Sequence, residues 1–371
     1  MERHLKLAIL GSRGYPSTYG GYETLVRYLA PYLARAGHDV TVYCRSREHG
    51  RRTWEVDGVR CIATRGRDST SLSTPTFGLT SALDATVRRY DAVLMLNIAN
   101  GFWCPLLRGA RIPLAVNTDG IEWKRGKWNR LGRAVFRVGA KATALSANRL
   151  ICDSREIGAI WQDLFQREST FIPYGAPILE DVGREEIEGA GLPDEPYLLV
   201  VARLVPENNV ELALEAVERL GDRAPMVIVV GSASSESPIE RRLEELRDEG
   251  RAHWLGHVSN QQLLAELWAN SAVYVHGHSV GGTNPALLQA LGAGAPTLAL
   301  NTPFNREVIG HADQLFDHDA AGLAERIRTV VDSPDLQREL SARGREIIRT
   351  SYRWDDVCRA YMDTLVGLAK K

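Results

Sequence analysis

The stretch 281-GGTNPALLQALGAGAP-296 decides how this chain is read. Two glycines lead into Thr-Asn-Pro, an apolar run follows at helical spacing, and Gly-Ala-Gly-Ala-Pro ends it. Pro285 suits the first helical position, where its missing N–H costs nothing. That places Asn284 at the N-cap. Gly281 and Gly282 present no side chain to an approaching ligand. A helix start carries uncommitted N–H groups and a partial positive charge, so it favours an anion. Taken alone, a tight turn into an ordinary core helix explains the same residues equally well.

Outward from this stretch the pattern is one of alternation. Apolar strands at 197–202, 226–231, 252–256, 273–277 and 297–300 alternate with helical periodicity at about 209–220, 237–249, 260–269 and 285–293. The first half has the same grammar. A buried strand at 5–10 runs into 11-GSRGYPSTYGG-21, then an amphipathic helix over about 22–36, then the strand in HDVTVYCR. Strand, loop, helix and strand make a βαβ unit. Further apolar strands fall at 92–97, 113–118, 149–154 and 170–175. The acidic, Gly- and Pro-containing segment EDVGREEIEGAGLPDEP at 180–196 has few groups to bury and reads as a linker. The expected organisation is an α/β chain with a domain over 1–182, a second over 183–350, and a terminal helix over 351–371 that packs back toward the first. Ligands of open α/β sheets sit outside the carboxyl ends of the strands.

Bulk properties narrow the class. The chain has 371 residues, 44% hydrophobic and 25% charged, which suits two soluble globular domains. A net charge of -1 gives no global basic field for nucleic acid. No apolar run of about 18 residues is present, so no membrane span is expected. The N-terminal MERHLKLAILGSRG lacks the features of a signal peptide. The five cysteines are scattered, form no CxxC pair, and point to a reduced, cytoplasmic chain without a zinc site. A dinucleotide fold requires GxGxxG and an acidic residue after the second strand. Here Gly11-x-x-Gly14 and Arg45 occupy those places, which disfavours NAD and leaves NADP open.

The combination of GSRGYPSTYGGYET, VVARLVPENN and HGHSVGGTNPALLQALGAGAPTLAL resembles retaining glycosyltransferases of the GT-B fold. More narrowly it is similar to a bacterial, rhamnosyltransferase-like branch of family 4 with a DUF1972-type N-terminal domain. The pieces 119-DGIEWKRGKW-128, 171-FIPYGAP-177 and 303-PFNREV-308 support the match, which runs nearly end to end. The resemblance implies two Rossmann-like, doubly wound domains facing a central cleft. It implies that the donor diphosphate rests on Gly281, Gly282, Thr283 and Asn284 and on Arg203. Asn208 stands where the family often has a Lys, and Gln289 where a Glu normally holds the ribose hydroxyls. The first Glu of the family's Glu–seven–Glu motif falls at Gly281 in an ungapped count. A Gln still donates and accepts hydrogen bonds. A deoxyribose donor, with one ribose hydroxyl to hold, relaxes the demand for a carboxylate. Glu307 matches a family position near the donor.

Each candidate has a plainer reading beside the functional one. Arg203 follows a buried strand and suits bidentate phosphate contact; its alternative is an ion pair with Glu207. Gly20 and Gly21 admit a phosphate or the acceptor, or simply turn the chain into a helix; Glu23 joins the acceptor set. Asp119, Glu122 and Trp123, with Lys124 and Trp128, offer carboxylates and indole rings to a sugar acceptor, or else cap a helix. His276 and His278 share one face of a strand, so one of them caps the donor sugar, or both are core histidines. The catalytic set is Asp119, Arg203 and His278, with Asp119 the side-chain candidate for a general base. No cofactor and no metal are expected beyond the donor substrate. The expected reaction moves L-rhamnose from dTDP-rhamnose to a saccharide or lipid-linked saccharide in polysaccharide or cell-wall glycan synthesis. A UDP-hexose donor, a catalytically weak nucleotide-sugar-binding subunit and an NADP-dependent oxidoreductase are the alternatives. The segment KRGKWNRLGRAVFR at 124–137 mixes cations with apolar residues. It suits either peripheral contact with the inner membrane face or a solvated helix.

Overall fold

The computed structural model describes residues 4–16, 20–45, 52–67, 73–118, 120–124, 130–233 and 238–370. The chain divides into two units: residues 1–174 together with 354–371, and residues 175–353.

The first unit is built on an eight-stranded sheet: β1 (Lys6–Leu10), β2 (Asp39–Cys44), β3 (Thr53–Val56), β4 (Val59–Ala63), β5 (Ala92–Leu96), β6 (Leu114–Asn117), β7 (Arg149–Cys152) and β8 (Ser169–Phe171). Its order is β3-β4-β2-β1-β5-β6-β7-β8, and every pairing is parallel except β3 with β4. The β3–β4 hairpin turns on Asp57-Gly58, both at positive φ, the conformation a tight hairpin turn demands. The helix Trp354–Ala369 belongs to this unit. Trp354 stacks on Tyr28 with ring centroids 4.3 Å apart, and Asn117 Nδ2 donates to Tyr361 Oη at 2.6 Å.

The second unit carries β9 (Tyr197–Val201), β10 (Met226–Val230), β11 (Ala252–Trp254), β12 (Val273–His276), β13 (Thr297–Leu300) and β14 (Leu315–Phe316). The order is β11-β10-β9-β12-β13-β14, parallel throughout. YLLVV and MVIVV are apolar at every position because both sheet faces are covered. Leu198 and Val200 enter one hydrophobic cluster, whereas Tyr197 and Leu199 enter the other. This unit starts earlier than the expected 183. Leu179 N donates to Gly292 O at 2.9 Å and Ala176 N to Tyr352 O at 2.9 Å, so the backbone before the acidic segment is already bonded into the second unit. Unit two also runs on to Arg353, past the expected 350. All five cysteines are buried and unpaired.

Candidate functional site

In the second sheet the strand order reverses between β9 and β12, the switch point where ligands of doubly wound sheets bind. Two loops leave the carboxyl ends of these strands, 202–209 and 277–284, and they are stitched together. Asn209 Nδ2 donates to Gly277 O at 2.7 Å, and Ser279 donates to Glu207 O from its N–H at 2.9 Å and from its hydroxyl at 2.8 Å. Gly277 permits this closeness, since a Cβ there would lie 2.5 Å from Asn208 O.

Arg203 stands exposed on the first loop. Among the described residues its guanidinium has no hydrogen bond and no ion pair, and Glu207 does not pair with it. Asn208, placed in the donor set by the sequence, is 4% exposed and donates from Nδ2 to Arg203 O at 2.8 Å. Its amide therefore shapes the loop that carries Arg203.

The second loop enters the helix Pro285–Ala293 through Asn284, whose Oδ1 accepts from Ala286 N at 2.9 Å. Pro285 has no N–H and Ala286 is capped, so the first turn has few donors left for an anion. Gly281 and Gly282 instead bring N–H groups that donate to no acceptor among the described residues. Gly281 lies at φ 140 with open space where a Cβ would stand, so the backbone is exposed to a ligand from that side. Thr283 is buried beneath this loop. Gln289, one turn into the helix, is half-buried, and its amide has no hydrogen-bond partner among the described residues.

His276, at the end of β12, is fully buried, and its Nδ1 shares a 3.0 Å hydrogen bond with Tyr274 Oη. The His278 ring stacks on it, centroids 4.3 Å apart and planes 11° from parallel. His276 Nε2 and His278 Nδ1 are buried without partners. Burial, with the neighbouring His278, holds His276 well below the usual histidine range. Burial and the Arg203 charge push His278 down to about 3. Both rings are therefore neutral at physiological pH. The half-buried His278 can offer a hydrogen bond to a hydroxyl but is not an imidazolium that could serve as a general acid. Asn305, which the sequence reading missed, is buried in the helix Pro303–Ile309. It donates to His278 O at 3.1 Å and to Leu300 O at 2.8 Å, pinning the histidine loop. Glu307 is half-buried on the same helix. The second unit thus brings Arg203, Asn208, His278 and the residues 281–284 onto two joined loops.

The acceptor candidates of the first unit fare differently. Gly20 sits at φ 112 as the N-cap of the helix Gly21–Arg35. Glu23 is 8% exposed and accepts from Arg13 N at 2.9 Å, so this carboxylate holds the loop after β1 instead of reaching for a sugar. Trp123 also needs correction. It is 4% exposed and packs edge-on against Trp161 and Phe165, so its ring offers no platform for stacking. Glu122 is half-buried in the short 3-10 turn Glu122–Lys124. Asp119 and Trp128 lie outside the described residues. A small polar niche at the carboxyl ends of β1, β2 and β4 went unread: Gly11, Ser12, Arg45, Thr64 and Thr74 line it. Arg45 donates to Ser73 Oγ and Thr74 Oγ1 at 3.0 Å each. The Ser/Thr-rich run just before 76 was its sequence signal. Among the described residues no group of three or more His, Cys, Asp or Glu is arranged to hold a metal, and no helix is long and apolar enough to cross a membrane.

Comparisons with known proteins agree on the class. Residues 20–175 match the glycosyl transferase 4-like domain family and residues 184–347 the glycosyl transferases group 1 family. A GDP-mannose-dependent alpha-(1-6)-phosphatidylinositol monomannoside mannosyltransferase of Mycobacterium tuberculosis is 27% identical over 195 residues, covering 47% of this chain and 49% of the relative. The chain thus spans about half the length of the curated relatives it first matches. Among solved structures, sucrose-phosphate synthase from Thermosynechococcus elongatus superposes with a TM-score of 0.83 at 19% identity, covering 98% of this chain and 99% of that one. Anabaena HepE in complex with UDP-glucose gives 0.75 at 14% identity, covering 98% and 100%. The fold is that of these GT-B proteins. The chain carries the two domains of a GT-B glycosyltransferase of the family 4 type, a 4-like domain followed by a group 1 domain.

Proposed function

We propose that the chain is a retaining glycosyltransferase that takes a sugar from a nucleoside-diphosphate donor and passes it to a saccharide or lipid-linked saccharide. One observation carries the reading: an unpartnered guanidinium and the uncommitted N–H groups of Gly281 and Gly282 sit on two loops bonded together at the switch point. Fixed donors of this kind stabilise the charge that grows on a departing diphosphate. The glycosidic C–O bond breaks, the sugar becomes oxocarbenium-like, and the acceptor hydroxyl enters on the face the phosphate leaves. Its proton passes to the departing phosphate or to Asp119. The neutral, half-buried ring of His278 meets a sugar hydroxyl without adding charge, while the buried His276 supports it from beneath.

The finer reading is a dTDP-linked donor, L-rhamnose by resemblance. Gln289 supports it: an amide in place of a ribose-binding carboxylate suits a sugar ring with one hydroxyl fewer. The relatives' names point to other donors for those proteins, GDP-mannose for one and UDP-glucose for another. A lipid-linked acceptor would bring the enzyme to the inner membrane face.

Calorimetric titration with dTDP, UDP and GDP tests the assignment, followed by turnover with the matching sugar nucleotides. The proposal expects dTDP to bind at least as tightly as UDP, and Gln289→Glu to shift preference toward UDP. Binding of none of the three would overturn the transferase reading. A preference for UDP that Gln289→Glu leaves unchanged would overturn the dTDP assignment alone. Binding without turnover on any donor would assign a nucleotide-sugar-binding subunit.

A further inference from the structure

In the second unit, the loops at the carboxyl ends of β9, β12, β13 and β14 close into a ring of side-chain hydrogen bonds. Asn209 Nδ2, on the β9 loop, donates to Gly277 O on the β12 loop at 2.7 Å. Asn305 Nδ2 then joins His278 O, at 3.1 Å, to Leu300 O at the end of β13, at 2.8 Å. Asn301, the next residue, donates from Nδ2 to Asp317 Oδ1 on the β14 loop at 2.8 Å. His318 follows Asp317, and its Nε2 lies 3.0 Å from Asn209 Oδ1, which completes the circuit. The order β9-β12-β13-β14 makes the first three links joins between neighbouring strands. The last link is different. It runs from the β14 loop back to the β9 loop, past the ends of β12 and β13, a span of about 14 Å at the usual strand spacing.

The chemistry of that link is fixed by its partners. Gly277 O and Glu207 O can only accept, so the end of the Asn209 amide facing them is its NH2 group. Oδ1 therefore faces His318, and His318 Nε2 carries the proton it donates. This holds for the neutral ring and for the imidazolium alike. Asn209 sits at φ 50, a conformation Asn tolerates, just before the helix Val210–Leu220. His318 stands just before Asp319, whose carboxylate caps the helix Ala320–Val331 through Ala321 N and Gly322 N. The two helices pack on one another, so one histidine ties the start of the second to the start of the first. His318 is exposed, and its bond adds little to the stability of the fold. What it touches is the one amide that joins the loop of Arg203 to the loop of Gly281 and Gly282.

We propose that His318 is a positioning residue for the diphosphate seat. It holds the Asn209 amide, and the amide holds Gly277 O. The chain leading to the N–H groups of Gly281 and Gly282 is thereby kept in register with the loop that carries Arg203. Donors fixed in advance stabilise a departing charge without the cost of reorganising, so a histidine three strands from β9 tunes how well the seat works. The role rests on the transferase reading for its ligand. Its geometry does not, because loosening of 277–284 is measurable with no nucleotide present.

Hydrogen exchange of the full chain, read by mass spectrometry, tests the geometry. His318→Ala should speed exchange across 277–284, and His318→Gln, whose amide still donates, should restore protection. The melting temperature of His318→Ala should stay within about 2 °C of wild type. Calorimetry with UDP and dTDP tests the consequence. His318→Ala should weaken the tighter of the two about two- to tenfold, the worth of one neutral hydrogen bond, and His318→Gln should recover it. Asn209→Gly keeps the positive φ and removes the amide, so it should lose at least as much, and adding His318→Ala to it should cost nothing further. Unchanged exchange in 277–284, unchanged affinity, a loss that His318→Gln fails to restore, or additive losses in the double variant would overturn the proposal and leave the diphosphate seat standing. A wild-type protein that binds neither nucleotide would overturn the seat itself, and the role of His318 with it.

Discussion

Replacing Arg203 with alanine separates ligand binding from folding. Its guanidinium is exposed and makes no hydrogen bond or ion pair among the described residues, so its loss should change stability by no more than about 0.5 kcal/mol. A hydrogen bond to a charged group contributes about 1.5–3 kcal/mol. Nucleoside-diphosphate affinity should therefore fall by roughly ten- to 150-fold. Asn208 makes the opposite case. Its amide is buried against Arg203 O at 2.8 Å. Asn208→Ala leaves that carbonyl without its donor, at about 1–3 kcal/mol of stability. It also loosens the loop that aims the guanidinium. If Asn208 acts on the ligand through Arg203, the two losses in affinity do not add, and the double variant binds about as weakly as Arg203→Ala alone. Calorimetry with UDP and dTDP, alongside thermal melts, gives both quantities. Arg203→Ala with unchanged affinity would refute the diphosphate seat. Fully additive losses would instead make Asn208 an independent ligand contact.

Three further outcomes follow from the packing. Trp123→Ala should destabilise the first unit by about 3–5 kcal/mol and leave acceptor KM in the surviving folded enzyme little changed, as measured by melts and initial rates. Gly277→Ala would put a Cβ 2.5 Å from Asn208 O and 3.2 Å from Asn209 Cβ, so a cost of about 1–3 kcal/mol and weaker nucleotide binding are expected together. The histidine pair predicts an acid-sensitive second unit. The folded rings stay neutral, with His278 held near 3, while unfolded histidines take up protons as pH falls through 6.5. The unfolded state then binds more protons, so this stability is complete above pH 6.5 and drains away below it, by up to about 1.4 kcal/mol per pH unit per ring. Melting temperatures between pH 7.5 and about pH 5 should fall less steeply for His278→Gln than for wild type.

The fold was legible because parallel strands covered on both faces are written as unbroken apolar runs, and YLLVV or MVIVV allow little else. The segments missed were those whose signal is local or mixed. The β3–β4 hairpin announces itself only through Asp57-Gly58, inside a stretch that is half exposed. The helix Arg130–Ser146 reads as a basic segment because its outward face carries both arginines and valines. An amphipathic helix that leaves apolar residues in solvent departs from the rule by which helices are found in sequence.

The site divides along the same physical line. Backbone chemistry carries its own address: glycines before an Asn-Pro step fix where N–H groups are exposed, and the strand preceding them fixes which end of the sheet they occupy. Side-chain chemistry does not. Glu23 and Trp123 have the composition of a sugar site, yet one carboxylate is consumed by Arg13 N and the indole is walled in by Trp161 and Phe165. Both outcomes depend on partners 10 and 38 or more residues away, a distance at which composition is silent. The histidines show the mixed case. Alternation placed His276 and His278 on one face, but only their burial, aided by the neighbouring ring for His276 and by the Arg203 charge for His278, fixes them as neutral. Under the proposed transferase reading, a site that stabilises a departing dianion gains from this separation of roles: the Arg203 guanidinium would supply the charge, and a His278 ring kept neutral beside it would meet a hydroxyl without competing for the phosphate.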